Sequence, residues 1–183
     1  MSQRKALPLP ERRGHDGFVT KALDRLIPYE RLAHWREGVA GRGARLVVTN
    51  GCFDLLHLGH VTYLERAREL GDMLLVGVNG DTAVRQLKGE GRPLNPETDR
   101  ALVVAALRVV DAVCIFPEKR ATNFLRVARP DVYVKGGDYT LDTLDAEERR
   151  TVEDAGGRIV LLPMVEGKST TETIRKFHRS NPH

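Results

Sequence analysis

From residue 45 onward, short runs of Val, Ile and Leu alternate with longer stretches whose apolar residues recur every three or four positions. Short apolar runs bounded by turn residues read as buried strands, and the 3.6-residue period reads as helix. The pattern predicts strands at 45–49, 73–79, 112–116, 132–134 and 158–162. Helices are predicted at about 60–70, 80–87, 96–109, 119–128 and 143–155, with a last one from Ser169. Gly71 and the pair Gly156-Gly157 stand where two of these helices should stop. The strands are apolar throughout, as in a parallel sheet covered on both sides. The prediction is an α/β fold: a single Rossmann-like doubly wound parallel sheet of about five strands with helices on both faces. Ligands of such sheets lie beyond the carboxyl ends of the strands, and each motif below falls at such an end.

The first 43 residues read differently. Pro8, Pro10, Gly14 and Gly17 sit among basic residues, which predicts a flexible tail over 1–26. Leu32, Trp35 and Val39 then recur at helical spacing behind Pro28, so 27–43 reads as a helical arm ended by Gly41-Arg42-Gly43. The arm packs either on its own domain or on another subunit. Residues 44–178 form the predicted domain, with 179–183 a C-terminal tail.

Composition narrows the class only a little. Hydrophobic residues are 41% and charged residues 30% of the 183, ordinary for a soluble globular chain. No apolar run approaches the roughly 18 residues of a membrane span, and two cysteines suit a reducing cytoplasm. The net charge of +4 fits anionic small molecules and nucleic acid alike. A nucleic-acid module is disfavoured because 25 acidic residues intersperse the 29 basic ones and only 5% of residues are aromatic.

Chemistry concentrates in Thr49-Asn50-Gly51-Cys52-Phe53-Asp54-Leu55-Leu56-His57-Leu58-Gly59-His60, between a predicted strand and a predicted helix. Backbone N–H groups and the helix dipole favour an anion there, and imidazoles can donate to phosphate oxygens. Gly59 lets backbone approach closely. Metal ligation by His57 and His60 would need partners that only Cys52 offers nearby, and a packing or capping role for the histidines is the other competing reading. The phosphate turn explains the pattern best.

Three further segments sit at strand ends. Lys168-Ser169-Thr170-Thr171-Glu172 reads as a capping box, or as a second phosphate site built on three hydroxyls and a lysine. Lys88-Gly89-Glu90-Gly91-Arg92 is a solvated turn or a cationic substrate loop. Val134-Lys135-Gly136-Gly137-Asp138-Tyr139 is an ordinary turn, or a place where paired glycines let a ligand lie against the backbone. No P-loop, dinucleotide fingerprint or Gly-x-Ser-x-Gly elbow is present.

His-x-Gly-His after Asn-Gly-x-Phe-Asp resembles the signature of the cytidylyltransferase-like nucleotidyltransferases. From about Leu46 to Lys176, the series resembles the branch of D-glycero-β-D-manno-heptose 1-phosphate adenylyltransferases in its stand-alone form. Its carriers are Thr49–His60, Leu87-Lys88-Gly89, Arg92-Pro93-Leu94-Asn95-Pro96, Arg100, Arg129-Pro130-Asp131-Val132, 134–139 and Ser169-Thr170-Thr171. Lys168 stands where the branch has Ile. The resemblance implies transfer of AMP from ATP to heptose 1-phosphate, giving ADP-heptose and pyrophosphate for the lipopolysaccharide core. His57, His60 and Lys88 would be catalytic. The nucleotide would meet Thr49, Asn50, Cys52, Phe53, Gly59, Gly136, Gly137, Asp138, Ser169, Thr170 and Thr171, as well as both histidines. Asp54, Lys88, Arg92 and Arg100 would meet the sugar phosphate. Mg²⁺ would arrive with ATP, with no protein ligand named, and a homo-oligomer is implied. Glycerol-3-phosphate cytidylyltransferase and FAD synthetase share the turn and remain alternatives, and the choice of ATP over CTP rests on the branch resemblance alone.

Overall fold

The computed structural model describes residues 19–137, 140 and 142–163. Five parallel strands form one sheet: β1 (Leu46–Gly51), β2 (Met73–Asn79), β3 (Ala112–Phe116), β4 (Val132–Gly136) and β5 (Arg158–Leu162), in the order β3-β2-β1-β4-β5. The helices are α1 (Val19–Leu23), α2 (Leu32–Gly41), α3 (Leu58–Arg68), α4 (Asp81–Lys88), α5 (Glu97–Ala105), α6 (Thr122–Ala128) and α7 (Ala146–Asp154). A single 3₁₀ turn, Tyr29–Arg31, leads into α2.

The sheet divides the core in two, because successive strand side chains point to opposite faces. On one face Val47 packs with Leu64 and Ala67 of α3, Ala101 and Val104 of α5, and Ala22 of α1. On the other, Val48 packs with Leu32 and Val39 of α2, Phe124 and Leu125 of α6, and Val152 of α7. The expected doubly wound α/β architecture is thus the observed one.

Three β spans fall where the apolar runs predicted them, whereas β1 and β4 run two residues further. The helix α5 stops at Ala105, four residues short of its predicted end, and Arg25 donates to the carbonyls of Ala105 and Leu107 there, at 2.9 and 3.0 Å. The larger difference lies in the predicted tail. Residues 19–26 are structured: α1 packs on α5, and Leu26 bridges Val113 in parallel. Val113 N–H donates to the Arg25 carbonyl and its own carbonyl accepts from Ile27 N–H, both at 2.8 Å. Backbone pairing of this kind leaves no hydrophobic period, which is why the sequence pattern missed it.

The arm is settled in favour of its own domain. Leu32 and Val39 are fully buried, and half-buried Trp35 packs against the same cluster. Arg36 on α2 donates to the Arg129 carbonyl at 3.0 Å and pairs with Asp131 at 3.3 Å. Asp131 also accepts the Leu46 N–H at 2.6 Å, tying the start of β4 to that of β1. Arg129-Pro130-Asp131 therefore works at the amino end of the sheet, away from the motifs at the carboxyl ends.

Candidate active site

The turn after β1 is shaped by its own side chains. Phe53 takes a left-handed backbone conformation (φ 48°), uncommon without glycine, and its ring is 6% exposed and 5.4 Å from that of His60. His57 is the N-cap of α3, with extended backbone, and its N–H donates to His60 Nδ1 at 3.4 Å. The two imidazoles lie with centroids 3.9 Å apart and planes inclined at 36°. Burial, and secondarily the neighbouring His57, pushes the His60 pKa down to about 4. His60 is therefore neutral near pH 7. With Nδ1 accepting, the remaining proton belongs on Nε2, which makes His60 a neutral donor at a helix start.

Thr49 is fully buried and its hydroxyl lies 2.6 Å from that of Tyr63, which donates to the Val134 carbonyl at 2.9 Å. Tyr63 thus pins α3 to β1 and β4, a role the sequence motifs did not reveal. It also explains Gly136: a Cβ there would come within 2.6 Å of the Tyr63 ring. The Tyr63 ring thus gives that glycine a packing reason of its own. Gly137 follows with φ 131°. Gly59 is buried within the first turn of α3.

The cationic loop closes over this turn through Asp54. Its carboxylate is 2% exposed, pairs with Arg92 at 2.7 Å, and accepts the N–H groups of Leu94 and Asn95 at 2.9 and 3.0 Å. Asn95 returns a bond to the Asp54 carbonyl at 2.8 Å. Arg100 is 2% exposed, donates to the carbonyls of Cys52, Asn79 and Asn95, and pairs with Asp81 at 2.7 Å. Asp54 and Arg100, expected to meet the sugar phosphate, are buried and hold the loop and three chain segments together through internal partners. Arg92 keeps 21% of its side chain exposed beside Asp54, and Lys88 is exposed at the end of α4.

Cys52 lies among these groups. Burial pushes its thiol pKa up, against the pull of the Lys88 and Arg100 charges. That pull places Lys88 within electrostatic reach of the turn. Asn50 is half-buried, with its Oδ1 engaged by Tyr133 and Lys135. Asp138, Ser169, Thr170 and Thr171 lie outside the described residues. Among the described residues no group of three or more His, Cys, Asp or Glu side chains could hold a metal ion, and no helix is long and apolar enough to cross a membrane.

The site thus combines a neutral imidazole donor, a helix N-terminus and two accessible cations at the carboxyl end of a parallel sheet, an arrangement suited to polyphosphate. Residues 48–176 match the family model described as cytidylyltransferase-like. The chain belongs to the cytidylyltransferase-like family. It is, accordingly, a nucleotidyltransferase. It is 48% identical over 159 residues to the bifunctional protein HldE of Koribacter versatilis, covering 86% of this chain and 31% of that protein. With the protein of the same name from Geobacter sulfurreducens, it shares 51% over 136 residues, 74% of this chain and 27% of the relative. The chain therefore spans about a third or less of the length of these curated relatives. Among solved structures, a lipopolysaccharide core biosynthesis protein from Thermoplasma volcanium superposes with a TM-score of 0.56 at 28% identity, covering 67% of this chain and 98% of that one. A pantoate-β-alanine ligase from Francisella tularensis, at 11% identity and a TM-score of 0.52, covers 85% of this chain and 79% of its own and shares the fold alone.

Proposed function

We propose that this family member transfers the adenylyl group of ATP to D-glycero-β-D-manno-heptose 1-phosphate, giving ADP-heptose and pyrophosphate for the lipopolysaccharide core. The observation that carries nucleotidyl transfer is the His57–His60 pair at the start of α3, on a turn whose Asp54 pairs with Arg92 and whose Cys52 feels the Lys88 charge. The heptose acceptor is supported by the likeness to HldE proteins over 86% and 74% of the chain.

A phosphate oxygen of the sugar phosphate attacks the α-phosphorus of ATP in line. A P–O bond forms as the bond from that phosphorus to the β-phosphate oxygen breaks, and pyrophosphate leaves with the electron pair. The nucleophile is already anionic near neutral pH, so positioning and charge stabilisation do most of the work. His60 Nε2–H and His57 donate to the α-phosphate as charge builds. Lys88 and the exposed edge of Arg92 hold the incoming phosphate. Ser169, Thr170 and Thr171 hold the pyrophosphate, and Asp138 the ribose or base. Mg²⁺ enters as part of the nucleotide substrate, carried on phosphate oxygens and water.

The test is pyrophosphate release across ATP and CTP, each with heptose 1-phosphate, glycerol 3-phosphate and FMN. Release is expected only with ATP and heptose 1-phosphate. Release only with CTP and glycerol 3-phosphate would overturn the acceptor and leave nucleotidyl transfer standing.

A further inference from the structure

A buried charge cluster reaches from α7 to Asn50 at the start of the phosphate turn. Glu148 of α7 is 5% exposed. Its Oε1 accepts the Ala121 N–H at 2.8 Å, and its Oε2 lies 2.9 Å from the Tyr133 hydroxyl and 3.3 Å from Lys135 Nζ. The Lys135 ammonium donates to Asn50 Oδ1 at 3.0 Å, and the Tyr133 hydroxyl is 2.7 Å from the same oxygen. Four side chains from β1, β4 and α7 thus form one connected network.

Its position is informative. Strand order runs from β1 towards β2 and β3 on one side and towards β4 and β5 on the other, so the side on which the chain adds strands switches between β1 and β4. Ligand crevices open at such switch points, beyond the carboxyl ends of the strands. Asn50 and Lys135 are each the penultimate residue of their strand, so the network bridges the crevice floor. An apolar pair would join the strands without the several kcal/mol per ion that burying charges costs. The charges therefore call for a role beyond adhesion.

Donor chemistry fixes the orientation of Asn50. Lysine Nζ carries only donors, so the Asn50 atom facing it is the carbonyl oxygen. The carboxamide nitrogen, with its two N–H donors, is consequently turned away from Lys135 and Tyr133. We propose that Glu148 is a positioning residue for the nucleotide, which acts through Lys135 to turn the N–H donors of Asn50 towards an oxygen of the nucleotide bound at the β1–β4 switch point. This rests on the nucleotidyltransferase reading above. Glu148 itself touches no ligand: it holds the ammonium that holds the carboxamide, while the single Tyr133 hydroxyl proton serves either Glu148 or Asn50 and not both.

The test measures Kd for MgATP by calorimetry, and KM and kcat by pyrophosphate release, in the wild-type chain, E148Q, K135M, N50A and the double variants E148Q/N50A and K135M/N50A. Loss of one charge-assisted hydrogen bond should weaken MgATP binding in E148Q about tenfold, with kcat at saturation within about twofold. The E148Q/N50A variant should bind no more weakly than N50A, because Glu148 acts through Asn50. A merely structural Glu148 would lower the melting temperature and leave MgATP affinity in the folded enzyme unchanged. That outcome, or losses from E148Q and N50A that multiply, would overturn the proposal. If E148Q does not fold, K135M decides: binding weakened in K135M, and no weaker in K135M/N50A than in N50A, supports the network, and wild-type affinity overturns it. A wild-type chain that binds no MgATP would overturn the functional reading as well, whereas wild-type binding with indifferent variants removes only the role of Glu148.

Discussion

His60 is the residue on which the proposed chemistry leans most. H60A should lower turnover roughly 10²–10³-fold, the scale of one lost oxyanion donor, with unchanged circular dichroism. Near-normal pyrophosphate release would remove His60 from the mechanism. Its titration gives a second expectation. The folded-state pKa of about 4 lies below the ordinary 6.5, so protons bind the unfolded chain more readily. The stability His60 contributes is present above pH 6.5 and is lost as pH falls from there through about 4. Thermal unfolding of wild type and H60Q between pH 7.5 and 4.5 should show the steeper decline in wild type; parallel curves would contradict the buried neutral imidazole. At this scale the sequence was readable where residue type dictates chemistry, as with the histidines. It was unreadable where partner choice decides. The internal partners of Asp54 and Arg100, and the Tyr63 ring against Gly136, could not be read from residue spacing. Neither Tyr63 nor Glu148 lies in a recognisable motif, because each acts through a contact with a strand distant in sequence.

Among the elements, strands and helices were legible from apolar periodicity, since burial on two faces imposes it directly. Their ends were less so, because polar caps and backbone pairing set them. The 88–96 connection shows how an element without regular structure is held. Arg100 joins it to the end of β2, the start of α4 and the phosphate turn. R100M should remove these bonds together and cost about 3 kcal/mol, as when one partner of a buried pair is deleted. Urea unfolding measures that loss, and KM for the acceptor should rise because Lys88 and Arg92 are carried on the same connection. A loss below about 0.5 kcal/mol, the size of an ordinary surface substitution, would show that the connection is held by Asp54 alone.

For the whole molecule, the two-sided core follows from the sheet, and α2 completes one side of it. Trp35 packs against that cluster, so W35A should lower the melting temperature and leave the mass in solution unchanged. Light scattering showing a change of mass would instead make α2 a subunit contact. With the mass unchanged, the self-association that the family resemblance implies would draw on other faces, where Leu58, Leu94 and Val103 are each more than half exposed.

The pairing of residues 25–27 with Val113 has a further consequence. As an outer strand of the sheet, β3 carries outward-facing backbone groups that could template a foreign strand. Those of Val113 are already engaged by Arg25 and Ile27. The segment before α2 therefore acts as a guard against edge-to-edge aggregation. A chain shortened to begin at Pro28 should form thioflavin-positive aggregates on mild heating sooner than the full chain, and equal lag times would show that the edge needs no such guard.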